Sequence, residues 1–333
     1  MNVNLHSPVN SMESFAPKDF WKSRFIKSRF LDHLVTKPVA LFEFLVFSSI
    51  YLGMAAAGMA WCSCALQGIS CSLPIMLVLS LVVFSVYNLN RKTDQAEDAL
   101  NHQRRFSFTS RFERPLFFAA LGSYVLAVAI SFVSGALPAC GVVIIPLICG
   151  IFYSVPLFPQ GSRVRRLKEI PLVKNILVSL AWGATFALVP VTLSGLSPGW
   201  TTLLTFLFIF FWTFVASVLP DIRDMRGDAL VGVVTIPVVL GVARSKVLLT
   251  IINVVAGTVI LAIGIHMESL ISTGLLICSL AYSQGCILAI GRPGTSSDFL
   301  CDVVSDGQFL VLGTLFFALS SWAFQVPGII FLH

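Results

Sequence analysis

The chain has 333 residues, 56% of them hydrophobic and 11% charged, with a formal net charge of +6 and a mean hydropathy of +0.89. That balance excludes a soluble domain and fits a multi-span membrane protein, whose long apolar runs must be helices of about 20 residues because hydrocarbon offers the backbone no hydrogen-bond partner. The pattern lacks the short alternating strands of a closed barrel, and its basic residues are shared among separate loops, which excludes a nucleic-acid-binding face.

Residues 1–36 are polar and mixed in charge and predict a cytoplasmic arm, with one amphipathic turn set around "DFWKSRFIKSRFLDHL". No apolar core lies near the start, so no cleavable signal is expected. Residues 37–333 read as one all-α transmembrane domain of nine helices around a central cavity. The spans are expected at about 39 to 62, 71 to 89, 115 to 134, 138 to 158, 175 to 193, 199 to 219, 247 to 266, 269 to 290 and 308 to 331.

Charge orients these spans. Of the 22 Lys and Arg, six fall in the amino-terminal arm, six between spans two and three, five between four and five, four between six and seven, and one between eight and nine. The other face has none. The positive-inside rule therefore places the amino terminus and every basic loop in the cytoplasm, in a multi-pass protein expected in the cell membrane. The eight cysteines show no metal spacing. Most read as small packing residues, although Cys64 and Cys71 flank the first outside loop and could pair in an oxidising compartment.

Two acidic clusters follow even-numbered spans on the cytoplasmic side. "NRKTDQAED" places Asn90, Asp94 and Asp98 four residues apart, and "LPDIRDMRGD" holds Asp224 and Asp228, with Asp221 one turn earlier. On a helix, positions i and i+4 share a face, so each cluster forms a stripe of carboxylates that repel one another near a low-dielectric boundary. Acidic helix ends are ordinary, and Arg91, Lys92, Arg223 and Arg226 could pair with them in solvent. Two matched clusters on one face favour instead a shared divalent cation. Ligands that are all oxygen favour Mg2+, commonly shared with a substrate's phosphates. Between spans four and five, "YSVPLFPQGSRVRRLKEIP" supplies Tyr153, Ser154, Arg163, Arg165, Arg166 and Lys168. These groups could bind a diphosphate. The plainer reading of that loop is a topology signal alone.

In this order the motifs resemble the UbiA superfamily of intramembrane prenyltransferases. Asn90, Asp94 and Asp98 match its Asn-x-x-x-Asp-x-x-x-Asp pattern, and Asp224 and Asp228 match its Asp-x-x-x-Asp pattern. Gly232, Thr235, Pro237 and Gly241 match the tail that follows; "YSVP…RLKEIP" is similar to the Tyr-Ser-x-Pro and Leu-Lys segment, and Lys37-Pro38 stands where many members carry Arg-Pro. The chain departs from the pattern at Arg91, where many members carry Asp, and in "DALNHQRR", which lacks a proline before its arginines.

The resemblance implies Mg2+-dependent transfer of a polyprenyl group from its diphosphate to a hydrophobic acceptor. Asp94, Asp98, Asp224 and Asp228 would be catalytic, with Asn90 and Asp221 completing the metal site. Asn90, Tyr153, Ser154, Arg163, Arg166 and Lys168 would bind the diphosphate. "DIRDMRGD" resembles the ether-lipid and quinone branches about equally, so a quinone precursor and a glycerol-phosphate ether lipid both stand as acceptors. A UbiA-type terpene cyclase would share the metal motifs. A transporter or lipid-binding protein would more typically place its charges near the midplane. The partners expected are donor, acceptor and bilayer, and the sequence names no protein partner.

Overall fold

The computed structural model describes residues 29–93, 95–134, 136–154, 166–167, 170, 172–230, 232–265 and 269–323, without the side chains of residues 29–37, 96–97, 153 and 154. The chain divides into two compact units at Glu43/Phe44. The described part of the first is helical and belongs to α1 (Arg29–Phe47).

Every described element is helical: α2 (Ile50–Gln67), α3 (Leu73–Thr93), α4 (Gln95–Asn101), α5 (Gln103–Arg111), α6 (Glu113–Val133), α7 (Leu137–Ser154), α8 (Val173–Leu193), α9 (Trp200–Leu230), α10 (Ile236–Gly264) and α11 (Leu270–Ala289). A short α12 (Ser297–Phe299) then runs into a π-helical turn at Leu300–Ser305, and α13 (Gln308–Ala323) closes the described chain. Eight helical segments are long and apolar enough to cross a membrane; the fourth expected span corresponds to a shorter apolar stretch, Leu137–Phe152 in α7. The result is an all-α, multi-pass membrane protein, with eight rather than nine helices meeting that measure among the described residues.

Several boundaries differ from the sequence expectation for identifiable reasons. The first expected span is cut at Ser48 and Ser49, where Ser49 takes φ 65°. Helix α2 then continues to Gln67, because the Gln67 amide donates to Ser63 Oγ at 3.1 Å and to the Ala187 carbonyl at 3.1 Å, which makes a polar residue tolerable in an apolar wall. Helix α9 runs 31 residues, well past the sixth expected span, and so carries the second acidic motif on an unbroken helix. Helix α10 begins eleven residues before the seventh and bends at Gly241, whose φ of 76° suits glycine.

Packing joins α8 to α9, α3 to α6, and α2 to both α3 and α13. Their shared core is apolar and aromatic, with Phe186, Phe208 and Phe309 buried among Leu79, Leu204 and Ile209. The outward faces stay greasy: Phe118, Val125 and Phe132 on α6 and Val247, Val255 and Val259 on α10 are all more than half exposed. Apolar faces of that extent need a lipid surround. All eight cysteines are free, Cys64 and Cys71 included.

Candidate active site

A cavity of about 370 Å³ lies among α2, α3, α4, α5, α7, α8, α9, the π-helical turn and α13. Its lining sorts by chemistry along α3, α8 and α9. On α9, Trp212 and Asp224 both line it, and twelve residues of helix separate them by about 18 Å. One end is therefore ionic, with Asn90, Asp98, Arg105, Arg223, Asp224, Asp228 and Asp302, and the other is aromatic, with Tyr87, Trp182, Phe186, Trp212 and Phe309.

At the ionic end the two acidic motifs meet. Asn90 lies in the last turn of α3, Asp98 lies on α4, and both line the cavity; Asp94, between them, lies outside the described residues. Asp224 and Asp228 face the same space from α9. The first motif's segment reaches the second directly: Asn101 Nδ2 lies 3.5 Å from Asp228 Oδ1, and His102 Nε2 lies 3.1 Å from Asp224 Oδ2. A Cβ at Gly227 would collide with the Asn101 side chain, so glycine permits this close approach of α4 to α9.

Three of the motif carboxylates, Asp98, Asp221 and Asp224, have a cation beside them. Arg105 Nη2 donates to Asp98 Oδ1 at 2.8 Å. Arg223 grips Asp224 with two donors, Nε to Oδ1 at 2.9 Å and Nη2 to Oδ2 at 3.1 Å. Asp221 is only 2% exposed, bound by Lys174 Nζ at 2.6 Å and Asn175 Nδ2 at 3.0 Å. Among the described residues, no three Asp, Glu, His or Cys side chains form a ready-made metal site. The donor chemistry nevertheless fits a hard divalent cation, since Asp98, Asp224 and Asp228 supply carboxylate oxygens to one cavity. Binding one would exchange the guanidinium partners for the ion.

The loop expected to bind diphosphate is described only in part. Arg163, Arg165 and Lys168 lie outside the described residues, as do the side chains of Tyr153 and Ser154. Arg166 is half-buried and is not among the cavity's described lining. Lys37 has no described side chain. Arg91, the departure from the family pattern, lines the cavity, and its Nη1 donates to the Phe47 carbonyl.

At the aromatic end, Tyr87 and Trp182 stack at 6.2 Å with an interplanar angle of 16°. Trp212 meets Phe309 edge-on at 4.4 Å. The Trp212 indole N–H donates to Gln308 Oε1 at 2.6 Å, which fixes the ring in an otherwise apolar wall.

The UbiA prenyltransferase family model matches residues 46–297. The chain belongs to that family. Solved structures of a UbiA homolog from Archaeoglobus fulgidus share the UbiA fold at 16% identity. The form bound to GPP and Mg2+ aligns with a TM-score of 0.61 over 83% of this chain and 99% of that one. The form bound to DMAPP and Mg2+ aligns at 0.59 over the same shares, and the form bound to Cd2+ at 0.60 over 85% and 99%. No curated protein matches the chain.

Sequence reasoning missed several charged residues of this UbiA cavity. Asp302 and Asp306 line it from the segment before α13. With Asp298 they repeat the i, i+4, i+8 spacing of the first motif, a signal that was present in "DFLCDVVSDG". His102 and Arg105 come from "NHQRR", and Lys174, counted only toward topology, holds Asp221.

Proposed function

We propose that the protein transfers a polyprenyl group from its diphosphate to a lipid-soluble acceptor, at the cytoplasmic face of the cell membrane. Family membership supports the reaction class. The observation that carries the site is a single cavity with carboxylates and guanidiniums at one end and aromatic rings at the other, matching a donor with a charged head and an apolar tail.

Asp94, Asp98, Asp224 and Asp228 would hold Mg2+, with Asn90 and Asp221 beside them. The shared cavity of Asp98, Asp224 and Asp228 supports this assignment, and so does the Mg2+ and GPP bound by the Archaeoglobus homolog of the same fold. When bound, Mg2+ would neutralise charge gathering on the departing diphosphate. Arg105 and Arg223, released from Asp98 and Asp224, would turn their N–H groups to phosphate oxygens, a planar fork suited to that geometry. Tyr153, Ser154, Arg163, Arg166 and Lys168 would complete the cradle from the basic loop. The allylic C–O bond breaks with its electron pair leaving on the diphosphate, and the acceptor's nucleophilic atom bonds the allylic carbon and gives up its proton. Tyr87 and Trp182 would exclude water and offer ring faces to the cation-like carbon.

The test is to incubate membranes containing the protein with radiolabelled geranylgeranyl diphosphate, Mg2+ and a panel of quinone precursors and glycerol-phosphate lipids. Label carried onto one acceptor class, and lost on chelation of Mg2+, is the expected result. Label recovered only in a cyclic hydrocarbon or alcohol would move the protein to a terpene cyclase. Unchanged donor under every condition would contradict the proposal.

A further inference from the structure

We propose that Asp302 is a positioning residue that keeps the Arg105 and Arg223 guanidiniums aimed at the diphosphate once the motif carboxylates turn to the metal. This inference rests on the prenyl-diphosphate reading of the same cavity. Asp302 sits in the π-helical turn at Leu300–Ser305, an irregularity that widens the helix just before α13 and often marks a functional position. Its Oδ1 accepts from Arg223 Nη1 at 2.8 Å and lies 3.7 Å from Arg105 Nη1. Each arginine therefore stands between a motif carboxylate and Asp302: Arg105 between Asp98 and Asp302, Arg223 between Asp224 and Asp302.

The consequence appears when a cation takes Asp98 and Asp224. Both guanidiniums lose their motif partners together, and the side chains, 18% and 8% exposed, cannot reach bulk water to compensate. Two like charges left side by side would separate or withdraw. Asp302 supplies one anion between them, which holds both in place while leaving most of their N–H groups for a ligand. Among the described residues, buried Arg105 Nε has no hydrogen-bond partner, a charged donor at the cavity wall that an anionic oxygen would satisfy. Asp298 also approaches Arg223, at 3.6 Å, but it is 73% exposed, and screening leaves such a contact little influence.

The experiment measures two quantities on the purified full chain: affinity for inorganic pyrophosphate in Mg2+ by calorimetry, and KM and kcat for a labelled prenyl diphosphate. Asp302→Asn should weaken pyrophosphate binding and raise the donor KM by roughly tenfold or more, the scale of a lost charge-assisted bond, with a smaller change in kcat. Asp302→Glu should restore most of the affinity, which a residue serving only the fold would not do. Arg105→Gln should produce a similar loss, and the two losses should fail to multiply in the double variant. Should Asp302→Asn not fold, Asp302→Glu and Arg105→Gln decide the matter: loss in the second with near-normal affinity in the first supports the assignment. Unchanged affinity and donor KM in a folded Asp302→Asn, or in Arg105→Gln, overturns it. A wild-type protein that binds no Mg2+–pyrophosphate and consumes no donor overturns the prenyl-diphosphate reading, and this inference with it.

Discussion

The first acidic motif runs from Asn90 on α3 to Asp98 on α4, with Asp94 between them outside the described residues, whereas the second lies within the helix α9. Their spacing is the same, but what places their carboxylates differs. On α9 the i, i+4 rule sets Asp224 and Asp228 on one face of the same helix, and Arg223 grips Asp224. In the first motif the position of Asp98 depends on Arg105 and on the approach of Asn101 and His102 to α9. The second motif's stripe is thus read along its own helix, while the first meets it through the contacts of Asn101 and His102 with α9.

The largest test of this comparison removes one charge from each motif. Asp98→Asn and Asp224→Asn should both reach the membrane in normal amounts and lose turnover by about 10²–10³-fold, the range expected when charge developing on a leaving group loses its stabilisation. Turnover assays with labelled donor at saturating Mg2+ would check it. Near-normal turnover in one variant only would mean that the motifs do not act on one ion.

Lys174→Met should act on stability. It leaves Asp221, 2% exposed, without its cation and held among the described residues by Asn175, and breaking a buried pair from one side costs about 3–5 kcal/mol. A thermal melt of the detergent-purified variant should fall clearly below that of wild type. Gly227→Ala should come next. The added methyl displaces Asn101 and with it the contact between the motifs, an overpacking cost of about 1–3 kcal/mol, and donor kcat/KM should fall about tenfold.

Asp221→Asn should have the smallest effect. Lys174 is 29% exposed and can turn to water when its partner is neutralised, so the variant should keep measurable turnover with a raised Mg2+ requirement. Mg2+ titration beside Asp224→Asn and Asp228→Asn gives the ranking. An Asp221 variant more damaged than the other two would move the metal centre deeper along α9.

Hydropathy and charge made the spans legible, because lipid admits few alternatives to a long apolar helix. The breaks were harder to read. Ser49 adopts φ 65° inside "VFSSIY" without a glycine to announce it, and Gln67 stays within α2 through bonds to Ser63 and to Ala187 on α8, 120 residues away. At the candidate site, the spacing of Asn90, Asp98, Asp224 and Asp228 was legible, and the structure places all four in the lining of one cavity. Arg105, Arg223 and Asp302 were not assigned, since their roles follow from which helix ends converge. Asp302 carried a visible signal, the i, i+4 spacing it shares with Asp298 and Asp306, in the stretch between the eighth and ninth expected spans.

The central claim is that the two motifs hold one metal–diphosphate unit. Crystals grown with Mn2+ and geranyl diphosphate would test it most directly, through the anomalous signal of the metal. The account predicts metal within about 2.0–2.3 Å of carboxylate oxygens from both motifs, with Arg105 and Arg223 turned from Asp98 and Asp224 to phosphate oxygens. Metal bound by one motif alone, with the Arg105–Asp98 and Arg223–Asp224 pairs intact, would contradict it.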